Sequence, residues 1–154
     1  MLFVTGVMDE EYPLTHENGQ NVRDRTFEFA CRVVKFSDRV YEAGGVGRMM
    51  VPQLVNCSTS PAGMLEEARA AESRRDFISK CSIGLKELRE SWTRLRVMEA
   101  CRIGPADTAR ELVREANELV SIVTAIVRNT RRKKGDSALE RRRVSKHRSG
   151  IPNS

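Results

Sequence analysis

The sequence has few aromatic residues and no long apolar run, and each shortage narrows the class of protein. Aromatic side chains make up 5% of the 154 residues, a composition that suits a helical bundle better than a β-sandwich. No run approaches the roughly 18 consecutive apolar residues that would span a bilayer. The N-terminus lacks the positive first region of a signal peptide. We therefore expect a cytoplasmic protein with no membrane partner.

Residues that carry catalysis or bind metal are also scarce. Histidine occurs only at positions 16 and 147, and no nucleophile stands at a spacing that would pair it with a base. The glycine-rich stretch 44–47 follows a helical segment and lacks the Lys-Ser/Thr of a phosphate loop, so it predicts a helix end. No C-x-x-C pair exists, and four core thiols are expected at Cys31, Cys57, Cys81 and Cys101. The sequence predicts no enzyme, no catalytic residue, no cofactor and no metal.

Charge is unevenly distributed along the chain, whose formal net charge is +6. Residues 128–154 contain ten Lys and Arg against two acidic residues, a balance of +8. Residues 1–127 contain 17 basic and 19 acidic residues, a balance of −2. The nearly neutral body and strongly basic end are the main compositional indication of function.

Apolar residues recur at alternating steps of three and four, the spacing of amphipathic helices. The pattern predicts an all-α, antiparallel up-down-up-down four-helix bundle with helices at about 23–43, 48–70, 74–101 and 105–132. A flexible leader over 1–22 and a disordered basic tail over 133–154 are expected on either side. The first helix carries two apolar stripes, one at Phe27, Ala30, Val34 and Tyr41, the other at Phe29, Val33, Phe36 and Val40.

The third helix has the clearest signals. Its apolar stripe includes Phe77 and Trp92, Ser73 is placed to cap its start, and Glu90 precedes Arg94 at the favourable i,i+4 spacing. In the second helix, Pro61 removes a backbone hydrogen bond, which predicts a kink at 58–61.

Four segments, RTFEFACRVVKF, SPAGMLEEA, AAESRRDFISKCSIGLKELRES and ANELVSIVTAIV, together resemble a known family. It is the bacterial four-helix-bundle family named for proteins encoded in 23S rRNA intervening sequences, related to the accessory proteins of diversity-generating retroelements. The resemblance covers about residues 24–131. Pro61 and Met64 depart from it, standing where the family usually has Ile and Asn.

The resemblance implies an antiparallel bundle assembled into a homo-oligomeric ring, typically a pentamer. In the related branch, a basic ring surface binds a reverse transcriptase and nucleic acid. The residues expected to have structural or interface roles are Ser60, Glu67, Phe77, Lys86, Glu87, Glu90 and Trp92.

Two functions follow as hypotheses. The alternative is that the basic tail has no binding role and only keeps the protein in solution. The first is a non-enzymatic, oligomeric nucleic-acid-binding protein, with RNA or a ribonucleoprotein as its partner, that contacts phosphates electrostatically. Its candidate contacts are Arg128, Arg131, Arg132, Lys133, Lys134, Arg141, Arg142, Arg143, Lys146 and Arg148. The alternative is a protein-interaction scaffold, for example for a reverse transcriptase, with Arg89, Trp92 and Arg96 as anchors if exposed.

Overall fold

The chain folds into four α-helices joined by short connections. The structure, a computed structural model, describes residue 14 and residues 21–148, with the backbone alone beyond residue 132. The helices are α1 (Val22–Ala43), α2 (Gly45–Arg69), α3 (Arg74–Ala100) and α4 (Ala106–Arg148). The predicted all-α four-helix bundle is confirmed.

Each helix contacts the next one along the chain, and α1 also contacts α4, less extensively, to close the bundle. The core between them is aliphatic and phenylalanine-rich, with Phe29, Phe36 and Leu88 almost fully buried. Within the predicted leader, Leu14 is also buried, and its carbonyl oxygen accepts a hydrogen bond from the Val22 amide at 3.0 Å. In the described part of the chain, no helix has the length and hydropathy needed to cross a membrane.

The helix ends follow local sequence signals. The Ser73 hydroxyl oxygen accepts a hydrogen bond from the Asp76 amide at 3.1 Å, the cap that the sequence predicts. Gly44 alone separates α1 from α2, with φ of 79°. Glycine has no Cβ and adopts this positive φ at little cost, so one residue is enough to reverse the chain. The second helix therefore begins at Gly45 rather than at the predicted residue 48.

The fourth helix differs most from its predicted bounds. The sequence predicts an end at 132, where the apolar spacing stops, whereas the helical backbone continues to Arg148. Residues 138–143, Ala-Leu-Glu-Arg-Arg-Arg, are all strong helix formers, which accounts for the continuation. Residues 149–154 of the predicted disordered tail lie outside the described residues.

The second and third helices approach closely around Pro61, through which α2 runs unbroken. A Cβ placed on Gly84 would lie 3.3 Å from the Met64 Cβ, so this glycine permits the approach. About two turns further along α3, the buried Ser58 and Ser91 hydroxyls share a hydrogen bond of 2.6 Å. The polar groups of this contact therefore satisfy each other inside the core.

The cysteines divide into two groups. Cys57 and Cys81 are buried core thiols, as predicted, and burial raises their pKa to about 11 and about 12 respectively. Cys31 is half-buried. The prediction of a core thiol is wrong for Cys101, which is exposed because it follows the last residue of α3.

The two apolar stripes of α1 also have different environments. Phe29, Val33, Phe36 and Val40 are buried. In the other stripe Ala30 is buried, but Phe27, Val34 and Tyr41 remain 63%, 44% and 50% exposed. Only one of the two predicted faces of α1 therefore packs fully into the bundle.

Candidate nucleic-acid interface

A groove of about 420 Å³ lies between α3 and α4, towards the beginning of α3. Residues of α3 at steps of three and four meet residues of α4 at the same steps, so that one face of each helix lines it. Its walls are formed by Ser82, Leu85, Arg89, Thr124, Val127, Arg128, Arg131 and Arg132. The groove thus combines four guanidinium groups, two hydroxyls and an apolar floor.

No carboxylate is among the described residues that line this groove. The Arg131 Nη2 donates a hydrogen bond to the Ser82 Oγ at 3.5 Å. Among the ion pairs between described residues, none involves Arg89, Arg128, Arg131 or Arg132. Apart from this Arg131–Ser82 hydrogen bond, no ion pair between described residues occupies their donors, and guanidinium groups suit the geometry of phosphate.

The opposite side of α4 shows the contrasting arrangement. There the Arg25 Nε and Nη2 lie 2.6 and 2.9 Å from the two Glu115 carboxylate oxygens, and Nη2 also contacts Glu118. The hydrogen bond with Glu115 is the main reason that the pKa of Arg25 is raised above its usual value. Arg32 pairs with Glu111 at 2.8 Å. The arginines at the α1–α4 contact are thus neutralised, while those at the α3–α4 contact are not.

An inter-helix contact fixes the end of the groove. The Arg74 Nε and Nη2 donate to the Thr130 carbonyl oxygen at 3.0 and 2.5 Å, joining the first residue of α3 to α4. The Thr130 hydroxyl in turn donates to the Ile126 carbonyl at 2.8 Å. This contact holds the beginning of α3 against α4 next to Arg128, Arg131 and Arg132.

Three of the ten predicted phosphate contacts line the groove, namely Arg128, Arg131 and Arg132. The other seven lie on α4 beyond residue 132, where only the backbone is described: Lys133, Lys134, Arg141, Arg142, Arg143, Lys146 and Arg148. Along the helix these positions continue from the groove end of the bundle, since α4 is unbroken.

The seven residues predicted to have structural or interface roles do not meet at one site. Phe77 is a core residue, and Glu90 pairs with Arg94 at 2.8 Å as predicted. The others vary in exposure, with Ser60, Glu87 and Trp92 half-buried and Glu67 and Lys86 exposed.

Sequence reasoning missed Ser82 and Thr124 and assigned Arg89 to a different role, as an anchor for a protein partner. The available signal was their helical spacing, since Ser82, Leu85 and Arg89 share a face of α3. That spacing does not show which face meets α4, and so the groove was not predictable from it. Within the described residues, no three His, Cys, Asp or Glu side chains come together as a metal site requires.

The fold and the groove define a four-helix-bundle protein with an acid-free arginine groove between its last two helices. The sequence matches no protein-family model and no curated protein. Its structure is similar to the crystal structure, at 1.70 Å resolution, of a protein of unknown function from the S23 ribosomal protein family of Bacteroides thetaiotaomicron. The TM-score is 0.63 and the identity 27%, over 69% of this chain and 97% of that chain.

Proposed function

We propose that this chain is a non-enzymatic nucleic-acid-binding protein that holds the phosphate backbone in the groove between α3 and α4. The observation that carries the proposal is the cluster of Arg89, Arg128, Arg131 and Arg132 with no carboxylate among the described lining residues. Arginines that replace counterions on phosphates give affinity without sequence specificity. The proposed setting is the cytoplasm.

RNA, or a ribonucleoprotein, is the proposed partner. The structural neighbour comes from a family named for a ribosomal protein, and this agrees with the resemblance to proteins encoded in 23S rRNA intervening sequences. The basic residues of α4 beyond 132 would extend the contact along the backbone of the ligand, because they follow directly on the same helix.

Removing charge from the groove is expected to weaken binding of nucleic acid. The variant R89Q/R128Q/R131Q would be compared with the full-length protein by fluorescence anisotropy, on a structured RNA and a matched DNA duplex, between 50 and 200 mM salt. Each lost phosphate contact lowers the slope of log Kd against log salt by about 0.7 to 0.9. We therefore expect a slope smaller by about 2.1 to 2.7 and affinity at low salt lower by about tenfold or more.

A matched control removes the same charge elsewhere. Lys35, Arg39 and Arg114 are exposed and make no ion pair with a described residue, so K35Q/R39Q/R114Q has the same net charge as the groove variant. It should retain most of the affinity. A third variant, R141Q/R142Q/R143Q, measures the contribution of the basic end of α4. Equal losses in the groove variant and the control would contradict a role for the groove.

A second candidate function, protein interaction, is favoured by the outer face of α1 and α2. Phe27, Val34 and Tyr41 are exposed on α1, and Arg48 of α2 stacks on the Tyr41 ring at 4.7 Å, which places the beginning of α2 beside this stripe. On α2, Val46 and Met49 are 70% and 81% exposed. We call these five apolar residues the α1–α2 face.

The occupant that we propose for the α1–α2 face is a second copy of the chain. Between Arg48 and Glu66, α2 carries no charged residue, although 31% of the chain is charged. Depletion of charge is typical of the core of a protein interface. Exposed Asp38 and Glu42 of α1, with exposed Arg48 of α2 beside the stripe, supply both signs of charge for pairing between copies. The resemblance stated above would make the assembly a pentamer, and a role beside a reverse transcriptase remains the alternative.

Self-association through this face is testable by sedimentation velocity. The wild-type protein is expected to form an oligomer at micromolar concentration, and F27A/Y41A is expected to shift towards monomer because it removes two aromatic contacts. The control I83A/V97A alters two exposed apolar residues of α3, 48% and 44% exposed, and should leave the oligomer intact. A wild-type monomer at about 100 µM, well above the Kd of typical specific complexes, would contradict self-association and leave a different protein, such as a reverse transcriptase, as the occupant.

A further inference from the structure

The single tryptophan of the chain stands beside the arginine groove. Trp92 follows Arg89 by three residues and precedes Arg96 by four, so the three share one face of α3. The indole is half-buried against the core and is not enclosed by it. The Arg96 Cζ lies 4.7 Å from the ring centroid, which is a stacking contact between guanidinium and indole. Because Arg96 is exposed, the outer side of this stack is open to a ligand.

The seam between α3 and α4 is also open on the far side of Trp92. A second, shallower groove of about 680 Å³ lies there, lined by Thr93, Arg96, Val97, Glu99, Ala100 and Val113. The two grooves extend along α3 from Ser82 to Ala100, which is roughly 27 Å at 1.5 Å per residue. At a rise of about 3.4 Å per nucleotide, this length accommodates at most about eight stacked nucleotides of one strand.

We propose that this seam binds an unpaired RNA or DNA strand, with its phosphates on the groove arginines and one base stacked on the Trp92–Arg96 pair. The inference rests on the proposed function and specifies the form of nucleic acid that the same site takes. Single strands bind where a positively charged groove is combined with aromatic side chains, because every unpaired base has a free face for stacking. Arginine planes serve the same purpose beside aromatic rings. A duplex offers only phosphates to this seam, since its bases are already stacked on each other.

Charge and polarity along the seam agree with a strand that runs from phosphate contacts to a stacked base. The guanidinium groups of Arg89, Arg128 and Arg131 lie at one end, and the one carboxylate among the described lining residues, Glu99, lies at the other. The hydroxyls of Ser82 and Thr124 add hydrogen-bonding groups that do not select among bases. We therefore expect binding that depends weakly on sequence and strongly on strandedness.

Tryptophan fluorescence tests the inference directly, because Trp92 is the only tryptophan in the chain. The full-length protein would be titrated with a ten-nucleotide oligo-U RNA, a ten-nucleotide oligo-A RNA and a duplex of equal length. Stacking of a base on the outer side of the Trp92–Arg96 pair should quench the emission with either single strand, and the duplex should leave it nearly unchanged. In anisotropy measurements, W92L should lose about tenfold in affinity for the single strands. Its affinity for the duplex and its salt slope should stay within twofold of wild type.

The conservative variant W92F separates stacking from structural damage. It keeps an aromatic ring, so its single-strand affinity should be much closer to wild type than that of W92L. Absence of quenching, or an equal loss of single-strand and duplex affinity in W92L, overturns the inference even if R89Q/R128Q/R131Q still weakens binding. If the groove variant also leaves binding unchanged, the proposed function fails with it.

Discussion

Replacement of Phe29 by alanine is expected to lower the free energy of unfolding by about 3–5 kcal/mol. Phe29 is 1% exposed and belongs to the core between the helices, so the change removes a buried ring and leaves a cavity. The measurement is urea denaturation followed by circular dichroism. It should be repeated at several protein concentrations, because assembly would add to the apparent stability.

Phe27 is the matched control, since it has the same side chain two residues earlier in the same helix but is 63% exposed. F27A should change the free energy of unfolding by about 0.5 kcal/mol or less at concentrations where the chain is monomeric. A similar loss for F27A and F29A would contradict the orientation of α1. A loss for F27A that grows with protein concentration would instead support the proposed self-association.

This pair of residues also shows what helical spacing can and cannot predict. Both stripes of α1 satisfy the three-four spacing, and so the spacing alone predicts two apolar faces. Which stripe is buried depends on where the other helices lie. The contacts of Arg25 and Arg32 with acidic residues of α4 fix that side of α1, and these contacts join positions about 80 to 90 residues apart. Local spacing carries no such information.

Features encoded within one turn of helix were predicted well. The Ser73 cap and the Glu90–Arg94 pair were both predicted from residues three or four positions apart, and both are present. The end of α4 was not predicted, because the apolar spacing reports the end of the core rather than the end of the helix. Thr130 is the last buried residue described on α4, close to the predicted end at 132, yet the helical backbone continues.

The candidate site was predictable only in part, for the same reason. A count of charges along the chain found Arg128, Arg131 and Arg132, since these are neighbours in sequence. Arg89 lies 39 positions before Arg128 and joins it only because α3 and α4 run antiparallel in a particular register. The absence of acidic partners among the described residues also depends on that register, because Glu111, Glu115 and Glu118 of the same helix face α1 instead.

Gly104, in the connection between α3 and α4, is the position where alanine is expected to be most damaging among the glycines. Its φ is 80°, a left-handed conformation that costs a residue with a Cβ about 1–2 kcal/mol. A Cβ here would also lie 2.7 Å from Phe36 Cε2 and 2.8 Å from Val40 Cγ2, and such overpacking costs about 1–3 kcal/mol. G104A should therefore lower the free energy of unfolding by about 2–5 kcal/mol, measured by the same denaturation.

Two other glycines distinguish the cost of the left-handed backbone from the cost of overpacking. Gly45 has φ of 65°, but a Cβ placed on it would have no other atom within 4 Å, so G45A should lose only the backbone contribution of about 1–2 kcal/mol. Gly63 lies inside α2, exposed and equally free of neighbours, so G63A should raise the stability by about 0.4–1 kcal/mol. If backbone strain and overpacking both contribute, the variants should rank G63A, G45A, G104A from most to least stable. Equal stabilities for G45A and G104A would show that Phe36 and Val40 move aside, and that the packing at the end of α3 is looser than the contacts of Gly104 indicate.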